Sequence, residues 1–232
     1  MDDAWIPLGL LIFIALFAYA LVRGARRQRR AKATIFSDFA HRHGLSYLPG
    51  DDGTAQAFAR DFHGIARFDS PSLGRVEPED VVTGSMDGRQ VVLFRHRIRY
   101  GEGWAREWYV AGLVLAEPMA RGCAVQFCKR RSHRSTLYLE DGIVKERRLR
   151  FFTLVVRAAA PAAAGCLMED RVLAQLDRLA GGLPFRPEIQ VRGARLIAYP
   201  ADRNAVLDDG DALAILVRFA GHAADIRDAG SG

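Results

Sequence analysis

The sequence predicts an α+β protein: a single N-terminal transmembrane helix, followed by a mainly antiparallel sheet with flanking helices. Three observations carry this. Residues 5–22 (WIPLGLLIFIALFAYALV) form an uncharged, strongly apolar run. A period of two dominates the middle of the chain, and a helical period returns on both sides of it. Strands that follow one another directly across short turns pair antiparallel, which separates α+β from an alternating α/β order.

Eighteen helical residues rise about 27 Å at ~1.5 Å each, enough for a hydrocarbon core of roughly 30 Å. Trp5 and Tyr19 sit near the ends of the run, and Pro7 falls in the first turn, where its missing N–H costs little. Asp2 and Asp3 precede the run, and Arg23, Arg26, Arg27, Arg29, Arg30 and Lys32 follow it. A cleaved signal peptide is the rival reading, because Ala18-Tyr19-Ala20 has a small-x-small pattern. Such a peptide carries its positive charge before the apolar run, and here that flank is acidic. The basic flank places the C-terminal side in the cytoplasm, so the expected location is a bacterial inner membrane with the N-terminus outside.

Residues 31–43 read as a helix, with Phe36, Phe39, Ala40 and His43 on one face and Gly44 closing it. No proline separates it from the span, so the two can form one helix. Thr54–Phe62 is a second short helix that Thr54 can cap. Strands follow at Asp80–Ser85 and Arg89–Tyr100 around Met86-Asp87-Gly88, and then at Glu107–Leu115, Ala124–Lys129, Thr136–Leu139 and Arg150–Arg157. Leu167–Ala180 is a helix with Val172, Leu173, Leu176, Leu179 and Ala180 in one stripe. Glu188–Arg192 and Ala194–Tyr199 form a hairpin at Gly193, and Asp209–Ala220 is the last helix. The expected organisation is an anchor with its basic flank (1–30), a linker helix (31–44), a cytosolic domain holding the whole core (45–227) and a disordered tail (228–232).

The net charge is +6, of which residues 1–22 contribute −2 and residues 23–32 contribute +6, leaving +2 for the remainder. The basic balance therefore belongs to the juxtamembrane block and does not argue for nucleic acid. Only Lys32, Lys129 and Lys145 are lysines among 33 basic residues, a skew that fits a GC-rich bacterial genome. Three cysteines without framework spacing fit a reducing compartment.

The chain has no phosphate-binding loop, dinucleotide fingerprint, H-E-x-x-H or G-x-S-x-G. Cys123, Cys128 and His133 lack a fourth ligand and the usual tight pair, so no metal is expected. The acidic clusters Asp51-Asp52, Glu77/Glu79/Asp80 and Asp208-Asp209/Asp211 read as caps and turns. No catalytic residue or cofactor is expected. Arg95, Arg97 and Arg99 alternate with apolar and aromatic residues, which places three guanidinium groups on one strand face, read as a solvated surface with cross-strand ion pairs, the alternative being a face turned toward anionic lipid or an acidic partner. Residues 129–150 carry a local charge of +5. The residues expected to meet anionic lipid headgroups are Arg23, Arg26, Arg27, Arg29, Arg30 and Lys32, together with Arg130 and Arg131.

Phe36-Ser37-Asp38-Phe39 with Gly44-Leu45-Ser46-Tyr47, then Glu79–Gly84 leading to Gly88-Arg89-Gln90-Val91, and later Phe151–Val156 to Val191-Arg192-Gly193, resemble an uncharacterised family of bacterial membrane-anchored proteins with a cytosolic α+β domain of unknown function. That resemblance implies topology and fold class and brings no catalytic residues. The expected function is presentation of a cytosolic domain for protein–protein or membrane-surface interaction. The alternative is a membrane-associated enzyme acting on a lipid or envelope precursor, which would show an apolar cleft with converging polar groups.

Overall fold

The computed structural model describes residues 5–60, 77–100, 104–116, 118, 123–128, 143–148, 153–158, 170–185, 187–200 and 210–229. Among the described residues, nine strands form one antiparallel sheet in the order β1-β2-β3-β4-β9-β8-β5-β7-β6. They are β1 (Ser46–Leu48), β2 (Glu77–Met86), β3 (Arg89–Tyr100), β4 (Trp104–Val114), β5 (Cys123–Cys128), β6 (Ile143–Arg148), β7 (Thr153–Ala158), β8 (Pro187–Arg192) and β9 (Arg195–Pro200). The helices are α1 (Trp5–His43), α2 (Thr54–Arg60), α3 (Asp170–Gly181) and α4 (Gly210–Ala229). The α+β class and the antiparallel sheet follow the sequence expectation.

Local chemistry sets the boundaries. The predicted helix at 31–43 is the distal third of α1, a single helix of 39 residues, or about 58 Å. It ends at Gly44, whose φ of 64° lets Leu45 N–H reach Ala40 O at 2.8 Å, as in a Schellman cap. The β2–β3 turn places Asp87 and Gly88 at φ 53° and 76°, the paired positive angles of a type I′ hairpin. Gly193 supplies the positive φ that opens the two-residue β8–β9 turn.

Several expectations need correction. Asp51, and not Thr54, caps α2: its carboxylate accepts from Ala55 N at 2.9 Å and Gln56 N at 2.8 Å. Strand β1 was not anticipated, since three residues carry too little pattern. Strand β6 was also missed, and the strand expected at Thr136–Leu139 lies outside the described residues. Helix α4 runs nine residues past Ala220, because Ala223 and Ala224 continue its buried face. Asp228 and Ala229 of the expected tail are therefore helical.

The sheet has two packed faces. On one, α1, α3 and α4 cover Val82, Val91, Leu93, Tyr109, Ala111, Leu113, Ile189 and Leu196. On the other, Ala55 and Phe58 of α2 join Val81, Val92, Phe94, Val110, Ile197 and Tyr199. The core does not begin at residue 45. Phe36, Phe39 and Ala40 are buried on the first face, so the segment read as a linker supplies core. Helical spacing allowed this, because an apolar stripe at i, i+3, i+4 needs a surface to cover.

Candidate functional site: helix α1 and the ion network beneath it

Helix α1 changes character along its length. Leu10, Ile12, Phe13, Ile14, Leu16, Phe17, Tyr19, Leu21 and Val22 are 51–66% exposed, and they are the exposed large hydrophobics among the described residues. They occupy every side of the helix. Residues 23–31 follow, all exposed, and then a face docks on the sheet. Among the residues with described side chains, no helix is long and apolar enough to cross a membrane. On α1 these begin at Leu10 and pass over Leu11, so they hold only part of the run at 5–22.

The basic block divides by helical phase. Arg23, Arg26, Arg27 and Arg30 stand at i, i+3, i+4 and i+7, which is one face. Lys32, Phe36, Phe39 and His43 stand at i, i+4, i+7 and i+11, which is another. Lys32 therefore parts from the arginines. Its ammonium donates to Glu107 Oε2 on β4. One turn on, the Phe36 ring stacks on Tyr109 at 6.1 Å, and Phe39 packs against His43 at 4.6 Å. Arg29 also faces the domain side by phase and is exposed. Arg130 and Arg131 lie outside the described residues, as do His133, Asp208 and Asp209.

Beneath Lys32 lies a network of cross-strand ion pairs, a kind of contact the sequence reading expected at the surface and the structure buries. Arg95, expected on a solvated face, is 3% exposed. Its Nε donates to Asp80 Oδ2 at 2.8 Å, and its two terminal nitrogens reach Glu79 and Glu107, each at 2.9 Å. A bulge builds this. The β2–β3 register runs Glu79↔Arg95 and then Val82↔Leu93, so Asp80 and Val81 together oppose Phe94. Asp80 takes φ 52°, an angle costly for a residue with a Cβ, and the turn brings its carboxylate to the Arg95 side. The Tyr47 hydroxyl on β1 donates to Asp80 Oδ1 at 2.8 Å.

The charges suit this arrangement. Burial pulls the Arg95 pKa down, but the Asp80, Glu107 and Glu79 carboxylates outweigh it and hold the pKa above its ordinary value. Burial, then the hydrogen bond to Asp80 and its charge, push the Tyr47 phenol up, so it stays a donor. Glu79 and Asp80 are thus ion partners of Arg95, and the cap-and-turn reading fails for them. The available signal was an arginine in the β3 strand pattern with acidic residues on the strand before it and the strand after it.

A second polar group lies on the opposite face. Tyr199 Oη donates to Glu188 Oε2 at 2.9 Å, and Gln190 Nε2 donates to Tyr199 Oη at 2.5 Å, all three residues being buried. On the same face His96 is 2% exposed, and burial lowers its pKa to about 3, so it is neutral at physiological pH. No cluster of three metal-binding side chains occurs among the described residues. A shallow depression of about 500 Å³ between α3 and α4 is lined by Gln175, Arg178, Leu179, His222, Asp225 and Ile226. No family model, no curated protein and no solved structure matches the chain, so function rests on the geometry.

Proposed function

We propose that the chain is a single-pass membrane protein in which one helix is both the anchor and the first core element of a cytosolic α+β domain, presented for protein–protein or membrane-surface interaction. The observation that carries this reading is the distribution of exposed apolar side chains. They are gathered around the whole circumference of α1 between Leu10 and Val22. A helix apolar on all sides suits lipid, whereas a surface helix keeps a polar face. The arginines that follow are exposed and make no ion pair among the described residues. They suit the negative cytoplasmic leaflet, where each basic residue near the surface is worth about 1 kcal/mol.

The rest of α1 determines how the domain is held. An uninterrupted helix with Phe36, Phe39 and Ala40 in the core and Lys32 on Glu107 makes the domain a continuation of the anchor. Alkaline phosphatase fused to the C-terminus tests the orientation, since it works only outside the cytoplasm. The reading expects an inactive fusion, and high phosphatase activity overturns it.

A further inference from the structure

We infer that Arg23, Arg26, Arg27 and Arg30 form a one-sided row on α1 that binds the phosphates of anionic phospholipid headgroups, and that Arg29 and Lys32 take no part in it. This rests on the anchor reading above and narrows the basic block to one face. Phase comes first. Taking Arg23 as zero and about 100° per residue, Arg26, Arg27 and Arg30 lie at about −60°, 40° and −20°. Lys32, Phe36, Phe39 and His43 lie at about 180°, 220°, 160° and 200° on the same scale. The row is therefore centred opposite the stripe by which α1 docks on the sheet, where Lys32 meets Glu107 and Phe36 stacks on Tyr109. Arg29, at about 240°, belongs to the docking side. The domain leaves the row open, because it holds the other face of the same unbroken helix.

Charge and depth come next. The four arginines are exposed, and α1 carries no acidic residue before Asp38. That carboxylate stands about 12 Å past Arg30 along the axis, too far for the i, i+4 pairing that would neutralise the row. Arg23 directly follows Val22, the last residue of the apolar run, and Arg30 stands about 12 Å beyond Val22. The row thus begins at headgroup depth, and the long arginine stems let its farther members reach back toward it. A guanidinium offers paired N–H donors that match two phosphate oxygens, and it keeps its charge at every physiological pH.

The remainder of that face decides between lipid and an acidic protein. Past Arg30 it continues through Thr34, Ser37, Asp38 and His41, all polar and at least partly exposed. A protein lying along it would need an apolar or aromatic anchor near its centre, and this stretch offers none. Headgroup phosphates need only the positive charge and the depth, so anionic phospholipid is the occupant that fits.

The test uses the full chain in vesicles of phosphatidylcholine and phosphatidylglycerol, with a trace of one lipid or the other spin-labelled on its acyl chain. Electron spin resonance reads the fraction of each label immobilised against the protein. The parent chain should immobilise phosphatidylglycerol in excess of phosphatidylcholine. Arg27→Gln with Arg30→Gln should remove roughly half of that excess or more. Arg29→Gln with Lys32→Gln removes the same charge from the docking side and should leave most of the excess in place. Equal loss in the two double variants, greater loss in the second, or loss in neither overturns the row. Immobilised lipid without preference for phosphatidylglycerol also overturns it, leaves the anchor standing and makes an acidic protein the better occupant. Absence of immobilised lipid of either kind overturns both. If Lys32→Gln disturbs the domain, Arg30→Gln and Arg29→Gln alone, one residue apart in depth, ask the same question. The first must lose the larger share of the excess, and the reverse or an equal loss overturns the row.

Discussion

The Lys32 ammonium on α1 closes on the Glu107 carboxylate of β4, and that same carboxylate accepts from Arg95 through its other oxygen. One glutamate thus joins the helix that leads from the apolar run to the buried cation of the sheet. The two ends of this chain of charges differ in burial, so they should differ in energetic weight.

Arg95→Met strips the buried Asp80 carboxylate of its cation, and breaking a buried pair from one side costs about 3–5 kcal/mol. Lys32→Gln removes a pair whose side chains are 22% and 21% exposed, and exposed pairs are worth about 1 kcal/mol or less. Urea denaturation of a chain beginning at Ala31 should show a large loss for the first and a small one for the second. Equal losses would mean that the network has no buried centre.

The core membership of α1 gives a prediction opposite to the boundary at residue 45. A chain beginning at Ala31 should melt cooperatively, whereas one beginning at Leu45 exposes the surface that Phe36, Phe39 and Ala40 cover and should show no cooperative transition. Phe39→Ala in the longer chain should cost about 3–5 kcal/mol. Identical melting of the two chains would return the segment to a linker.

Much of the fold was legible in local pattern. The β2–β3 hairpin was readable from Asp87-Gly88, and the α3 stripe from its spacing, because both depend on neighbours in sequence. What escaped depends on distant partners. Strand β1 is three residues whose only reason to be extended is its pairing with Val81–Thr83. Arg95 looked like a surface residue because its three carboxylate partners sit on β2 and β4, and the bulge that aims Asp80 leaves no composition signal. Lys32 looked like one more juxtamembrane cation until helical phase and Glu107 set it apart.

His96 makes stability depend on pH. Its folded pKa of about 3 lies below the ordinary 6.5, so between those values the unfolded chain binds the proton and the native chain does not. The contribution is complete above pH 6.5 and declines as pH falls toward 3. At pH 5 it should be about 2 kcal/mol smaller than at pH 8. His96→Phe should flatten this part of the profile in denaturant titrations. A His96→Phe profile as steep as the parent's would assign the acid sensitivity to other groups.

Gly112 on β4 has no room for a side chain, since an added Cβ would lie 2.5 Å from the Phe58 ring. Gly112→Val should push α2 off the sheet and cost about 1–3 kcal/mol. Phe58→Ala in the same chain should recover part of that loss. No recovery would show that the two residues do not compete for one space.

The central claim is that α1 passes from lipid into the core of the domain. The most direct measurement is partition of the full chain after an alkaline carbonate wash of the membranes, beside a chain beginning at Ala31. The full chain should stay with the membrane pellet while the shorter one is released to the supernatant. Release of the full chain would contradict the claim and leave residues 5–22 as an apolar helix awaiting some other partner.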